Sequence, residues 1–234
     1  MKILAIDTSG LQAGAAIVDK YITIGEIQLN ARTGEKSWTH SEILMPAIHQ
    51  MFKLTGLNPQ NIDIIAYTAG PGSFTGLRIG ASTAIGLAKG LNKPSIPVPT
   101  LDALAYNVCV AGVTVPMMDA RRGQVYFAVY KGKNRLTDYD AKPVEEAMEI
   151  VKKHGANENA VFLGDGADAY KEIICNLMPN AVFAESNQNR QRAASVGLWA
   201  LDYVEKNGIN NLTDEVDILY VRSPQAVRQK QGLK

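Results

Sequence analysis

Few residues in this chain combine type and spacing in a way that could do chemistry. Asp7-Thr8-Ser9 closes the apolar run Lys2-Ile3-Leu4-Ala5-Ile6. A carboxylate beside two hydroxyls on a turn can face phosphates and a hydrated magnesium ion. The same residue types are also common turn formers that bond their own backbone, and both readings stand. The loop Gly70-Pro71-Gly72-Ser73-Phe74-Thr75-Gly76 follows a second apolar run. It offers backbone donors at a helix start, which suits an anion, or serves as a tight strand-to-helix turn. His40-Ser41-Glu42 with His49 invites a metal reading, since zinc sites use histidines one helical turn apart. At about 100° per residue, positions nine apart point to opposite helix faces and positions two apart are splayed. With His154 the remaining histidine of the chain, no protein-built metal site is expected.

Spacing removes other catalytic patterns. Gly70, Gly72 and Gly76 miss the dinucleotide G-x-G-x-x-G by one residue, and no lysine follows Gly76 to make a P-loop. Ser73 directly follows Gly72, so the segment is not a G-x-S-x-G nucleophile elbow.

The elements that must position these residues follow from periodicity. Lys2 to Asp7, Ala13 to Val18 and Ile22 to Leu29 read as an antiparallel meander. Thr39 with Glu42 forms a capping box, and Ile43, Leu44, Ala47, Ile48 and Met51 recur at helical spacing, predicting a helix from about Ser41 to Thr55. Pro46 inside it removes a backbone donor, at a cost on the order of 3 kcal/mol. Ile62 to Thr68 reads as a strand. The helix after the glycine loop is rich in small residues, Gly80, Ala81, Ser82, Ala84, Gly86 and Ala88. Each interior glycine costs about 1 kcal/mol against alanine, which close backbone approach usually offsets. A strand at Pro94 to Val98 and a helix from Leu101 to Val108 complete this half.

The pattern then restarts. Thr114 to Asp119 and Gln124 to Tyr130 flank Ala120-Arg121-Arg122-Gly123, like the opening hairpin, with a third strand near Arg135 to Tyr139. A helix from Pro143 to Lys153, a strand at Val161 to Leu163, a helix from Ala169 to Leu177 and a strand at Ala181 to Ala184 follow. Val196, Trp199, Ala200, Tyr203 and Val204 mark an amphipathic helix closed by Gly208. The expectation is a duplicated α/β unit: residues 1–108, joined by part of 209–234, form the first lobe, and 109–208 a smaller second one.

Composition limits the function classes. The chain has 234 residues, 46% hydrophobic and 20% charged, with 24 Lys+Arg against 23 Asp+Glu and a formal charge of +1. A protein gripping a long nucleic acid alone normally shows a strong basic excess. Val221 to Lys234 holds Arg222, Arg228, Lys230 and Lys234 with no acid, so the preceding 220 residues carry 20 basic against 23 acidic, a net of −3. A basic tail on a slightly acidic body suits RNA or an acidic partner face, or simply a solvated end. The longest uncharged stretch, Ala103 to Met118, is interrupted by Asn107, Gly112 and Pro116 and is too short for a bilayer. Asp7 interrupts the N-terminal apolar run, which is unlike a signal peptide. A cytoplasmic protein is therefore expected, with Cys109 and Cys175 as buried reduced thiols.

In order along the chain, Asp7-Thr8-Ser9, His40-Ser41-Glu42 with Pro46, Gly70-Pro71-Gly72-Ser73-Phe74-Thr75-Gly76-Leu77-Arg78-Ile79-Gly80, Asp119-Ala120-Arg121-Arg122 and Tyr220-Val221-Arg222-Ser223-Pro224 resemble the TsaB (YeaZ) family. The resemblance implies a two-lobed α/β fold of the actin, Hsp70 and sugar-kinase type, RNase H-like in each lobe, with a mixed sheet and flanking helices. It implies a non-catalytic part in making threonylcarbamoyladenosine next to the anticodon of transfer RNA, as the partner of TsaD, with the ATPase TsaE joining them. The metal-binding relative uses paired histidines on a helix, and this chain has no such pair, which puts direct transferase activity and the old glycoprotease label in doubt. The two N-lobe helices are implied to pair with those of TsaD, or of a second copy when alone, through Ile43, Leu44, Ala47, Met51, Gly80, Ala81, Ala84 and Ala88; any one of these positions can equally serve the lobe's own core. ATP or ADP with magnesium at the complex interface is implied weakly, near Asp7, Thr8, Ser9, Gly70, Gly72 and Ser73. Transfer RNA is expected to be met only through the complex. The alternatives are a stand-alone ATPase of the sugar-kinase type, a self-associating scaffold, or a TsaD-directed protease.

Overall fold

The structure is a computed structural model that describes residues 1–30, 32–33, 36–154, 160–209, 218–219 and 221. The described residues form two compact units, one within Met1–Asn107 and Gln191–Ile218, the other within Val108–Arg190 and Leu219–Lys234.

In the first unit, β1 (Lys2–Asp7), β2 (Gln12–Asp19) and β3 (Thr23–Asn30) form the expected antiparallel meander, followed by a short pair, β4 (Arg32–Thr33) and β5 (Lys36–Ser37). Helix α1 (His40–Thr55) starts on Thr39, whose hydroxyl accepts from Glu42 N–H while the Glu42 carboxylate accepts from Thr39 N–H at 2.7 Å. It stops at Gly56, whose φ of 68° is readily adopted only without a side chain. Strand β6 (Ile64–Gly70), helix α2 (Phe74–Leu91), strand β7 (Ser95–Pro99) and helix α3 (Thr100–Ala105) follow. The sheet order is β3-β2-β1-β6-β7, with β1, β6 and β7 parallel. Strand β1, paired on both sides, buries every residue after Lys2.

Helices cover both faces of this sheet. Leu4, Ile6, Ala15, Ile17, Ile65 and Tyr67 meet α1 and α2 on one face. Ile3, Ala5, Ala16, Val18, Ala66 and Val98 meet the last helix, α7 (Ala193–Asn207), on the other. That assignment corrects the expected division of the chain, which put this helix in the second lobe. Its apolar stripe, Val196, Ala200 and Val204, finds its complementary surface on β1 and β2. A Cβ at Gly197 would lie 2.5 Å from Val18 Cγ2, so glycine permits the approach.

The second unit repeats the plan. Its strands are β8 (Val113–Arg121), β9 (Gln124–Phe127), β10 (Tyr130–Lys131), β11 (Asn134–Arg135), β12 (Asp140–Pro143), β13 (Val161–Leu163) and β14 (Val182–Phe183); its helices are α4 (Val144–Lys153), α5 (Asp165–Ala169) and α6 (Lys171–Leu177). Strands β9 and β10 both pair antiparallel with β8, β12 pairs with β9, β11 with β10, and β13 joins β8 and β14 in parallel. Read across, this is the order of the first sheet with its second and third strands each broken in two. The duplication is real, and the repeated meander-plus-crossover unit is that of the actin and sugar-kinase fold. The single helix expected from Ala169 to Leu177 is divided at Tyr170, whose φ of −117° and ψ of 21° leave the helical region. Its core holds Val115, Met117, Phe127, Met148 and Phe162.

Cys109 and Cys175 are both free and exposed, not buried as expected. Cys175 lies on the outer side of α6, next to the buried Ile174. The basic tail from Arg222 to Lys234 and most of 209–220 lie outside the described residues.

Candidate functional site

The Asp7 turn and the glycine loop meet at the end of the first sheet, so the six residues singled out around a nucleotide are indeed neighbours. What they do there is bind one another. Asp7 Oδ1 accepts from Ser9 N–H at 2.8 Å, Ser9 Oγ at 2.7 Å and Thr68 Oγ1 at 3.4 Å. Thr8 Oγ1 donates to the Gly76 carbonyl at 2.8 Å, and Ser73 N–H donates to the Ser9 carbonyl at 2.7 Å. Ser73 caps α2 by accepting from Gly76 N–H at 3.2 Å. Asp7, Thr8 and Ser9 are buried.

The glycines explain how the loop comes so close. A Cβ at Gly72 would lie 2.5 Å from the Ser9 carbonyl oxygen, one at Gly76 would lie 2.1 Å from the Thr8 carbonyl oxygen, and one at Gly80 would lie 2.2 Å from Thr8 Oγ1. Gly70, at φ 115°, turns the chain out of β6 in a conformation that side chains disfavour. Close approach therefore offsets the helix cost at Gly80, but the surface approached is the chain's own β1–β2 turn.

Asp7 Oδ2 is buried and has no hydrogen-bond partner among the described residues. Burial pushes the Asp7 carboxyl above its ordinary range, against the lowering effect of its bonds to Ser9 and Thr68. A magnesium nucleotide needs an ionised carboxylate and open backbone donors. Here Asp7 is buried, its Oδ1 is taken up by Ser9 and Thr68, and the donors of Ser73 and Gly76 are already engaged. The residues do not fit the group, and the turn is a structural joint between β1 and α2.

His40, the first residue of α1, places Nε2 3.0 Å from the Gly10 carbonyl oxygen, and His154 places Nδ1 2.9 Å from the Ile150 carbonyl oxygen. His49 is exposed on α1. Each ring is thus in a separate setting, and no group of His, Cys, Asp or Glu that could hold a metal occurs among the described residues.

The residues expected at a partner interface require a correction. Ile43, Leu44, Ala47 and Met51 of α1 and Gly80, Ala81, Ala84 and Ala88 of α2 are all buried within the first unit. Periodicity finds the apolar stripe of a helix, and the stripe belongs to the nearest sheet. The outer faces carry other residues. Met45, 45% exposed, stands on the outer side of α1 with His49 and Lys53, while Leu54, 72% exposed, lies nine positions on and points the opposite way at the helix end. On α2, Phe74, Thr75, Arg78, Ile79, Ser82 and Thr83 line a shallow groove of ≈ 500 Å³, with the Arg78 guanidinium 3.8 Å above the Phe74 ring.

The second unit builds a counterpart that the sequence reading recognised in only half its parts. Asp119 Oδ1 accepts from Arg121 N–H at 2.8 Å and from Tyr170 Oη at 3.2 Å, and Asp119 Oδ2 pairs with Arg121 at 3.2 Å. Asp165 Oδ1 accepts from Asp119 N–H at 3.4 Å, and burial pushes the Asp165 carboxyl upward. Gly166 packs on the backbone of Met117 and Met118, where a Cβ would lie 2.8 Å from the Met118 carbonyl carbon. Asn189 accepts from Gly164 N–H at 2.7 Å and donates to Asp168 at 2.8 Å. The missed residues, Gly164-Asp165-Gly166, follow a parallel strand just as Gly70 to Gly76 do, and that placement was the available signal.

Comparisons with known proteins agree with this architecture. Residues 34–206 match the family model described as TsaD, tRNA N6-adenosine threonylcarbamoyltransferase. The tRNA threonylcarbamoyladenosine biosynthesis protein TsaB of Bacillus subtilis is 33% identical over 84% of this chain and 87% of its own length. The protein of the same name from Haemophilus influenzae is 28% identical over 95% of this chain and 94% of its own. The solved structure of YeaZ from Pseudomonas aeruginosa superposes with a TM-score of 0.74 at 22% identity, covering 94% of this chain and 99% of that one. With this extent of identity, the repeated sheet order and the Gly70–Gly80 motif in one chain, the protein belongs to the TsaB (YeaZ) family.

Proposed function

We propose that the protein is a non-catalytic accessory subunit in the threonylcarbamoylation of transfer-RNA adenosine, which pairs with TsaD and holds it in its active form, with TsaE as a further partner. The observation that carries this reading is the closed state of the Asp7 turn. The carboxylate, hydroxyls and loop donors that a nucleotide would need are here bonded to one another within the chain, leaving surface as what the first unit offers. The names of the curated relatives and the TsaD family match support the pathway. Among the described residues no helix is long and apolar enough to cross a membrane.

The surface proposed for pairing is the outer side of α1 and α2, with Met45, Phe74 and the Arg78 groove as its apolar parts. Gly86 is exposed, and a Cβ there would meet nothing within 4 Å, so a partner helix can approach it closely. The same surface serves a second copy when TsaD is absent. Any adenine nucleotide with magnesium that the complex holds is bound mainly by residues of the partner.

Reconstitution tests the reading. Purified TsaD and TsaE, with the enzyme that supplies threonylcarbamoyl adenylate and unmodified transfer RNA, are expected to modify the RNA only when this protein is added. Undiminished modification in its absence sinks the proposal. Met45→Glu with Ser82→Glu is expected to abolish co-elution with TsaD while leaving the thermal midpoint of the isolated protein unchanged.

A further inference from the structure

The two meanders differ most in the turn between their second and third strands. In the first unit this turn is Asp19-Lys20-Tyr21-Ile22. Asp19 accepts from Tyr21 and Ile22 N–H at 2.8 and 3.0 Å, and Lys20 pairs with Glu205 at 3.3 Å. The corresponding turn of the second unit, between β10 and β11, is Lys131-Gly132-Lys133-Asn134-Arg135. Lys131, Lys133 and Arg135 are all exposed, and residues 129–137 contain no acid. In a body whose net charge before the tail is −3, this is a local reversal of sign.

The turn is also held in shape. Gly132, at φ 58°, supplies the left-handed position that a two-residue hairpin requires. Tyr130, buried opposite Arg135, anchors the strand, Leu136 N–H donates to the Val129 carbonyl at 2.7 Å, and Val129 N–H donates to Thr137 Oγ1 at 3.0 Å. The Arg135 guanidinium lies 3.9 Å above the Tyr139 ring. A flat cation stacked on an aromatic ring is a platform on which an unpaired base can stack, and lysines on a rigid hairpin suit phosphates, whose neutralisation releases counterions.

We infer that the β10–β11 hairpin of the second unit is an RNA contact, with Lys131 and Lys133 on the phosphodiester backbone and the Arg135–Tyr139 stack beside a base. The inference rests on the proposed function for the identity of the RNA, a transfer RNA. It also refines the expectation from composition: RNA binding needs no overall basic excess if the cations are gathered on one turn and other subunits supply the rest.

The test uses the complex of full-length protein with TsaD and TsaE and a fluorescent, unmodified transfer-RNA transcript, with dissociation constants measured across a series of potassium chloride concentrations. Lys131→Glu, Lys133→Glu and Arg135→Glu together are expected to weaken binding at least about tenfold and to lower the salt slope by about 1.4–1.8, at roughly 0.7–0.9 for each of the two phosphates no longer neutralised. Lys131→Arg with Lys133→Arg should restore both. Wild-type affinity and slope in the triple variant would overturn the inference, as would loss of TsaD or TsaE from the complex with RNA affinity retained, since the hairpin would then dock an acidic protein segment. Failure of the proposed function looks different, because full modification would occur with this protein omitted.

Discussion

The Asp7 turn and the Asp119 turn hold matching positions in two sheets of the same strand order, yet only the first is sealed. Around Asp7, an 18-residue helix and the loop before it bring three glycines against the backbone and side chain of Thr8 and Ser9. Around Asp119, the crossover helix has five residues, one glycine meets backbone, and the carboxylate reaches outward to Arg121 and Tyr170. Arg121 and Arg122 both sit at positive φ, 66° and 57°, a conformation that costs a side chain roughly 1–2 kcal/mol. One joint is therefore packed shut by missing side chains, and the other is held by a carboxylate and leaves its arginines in water. A duplicated unit can diverge in this way because the sheet supplies the stability and the turn is left to vary.

Substitution at the glycines is the most severe way to break the comparison. Gly76→Ala places a Cβ 2.1 Å from a carbonyl oxygen that cannot move without the sheet, so a loss of about 3–5 kcal/mol is expected. Gly166→Ala, with its nearest atom at 2.8 Å, should lose about 1–3 kcal/mol. Urea unfolding of both variants measures the difference, and equal losses would remove the distinction between the joints.

The pH dependence of Asp7 sharpens it. Because burial raises the folded-state pKa above 3.8, the folded protein binds more protons than the unfolded chain between those two values. Stability must then fall as pH rises through that window, and the full cost applies above it. Asp7→Asn is expected to remove this fall, so that the variant gains on the wild type toward neutral pH and the gain disappears in acid. Unfolding free energies measured across pH test the sign; a variant that weakens relative to wild type as pH rises would restore a functional carboxylate.

The smallest effect is expected outside either joint. Gly86 meets nothing within 4 Å, so Gly86→Ala should stabilise the isolated protein by about 0.5–1 kcal/mol through helix propensity alone. Thermal unfolding would show it, and Gly86→Leu should weaken pairing with TsaD in the same co-elution assay.

Much of this protein is local, and what is local was legible. Thr39 with Glu42 and Gly208 after α7 bound their helices through bonds within a few residues, so sequence alone located those ends. The β1–β2–β3 alternation and the restart after Thr114 likewise revealed the repeat, and the Gly70–Gly80 motif revealed the family. Tertiary structure decided which partner each face meets. The stripe Ile43, Leu44, Ala47 and Met51 was visible, but its use on β2 and β3 rather than on another protein depends on strands folded earlier in the chain. The return of α7 to β1 and β2, the exposure of Cys109 and Cys175, and the closing of Gly76 onto Thr8 all join residues far apart in sequence. Periodicity reports that a face must be buried, while the surface that buries it is determined by packing across the whole unit.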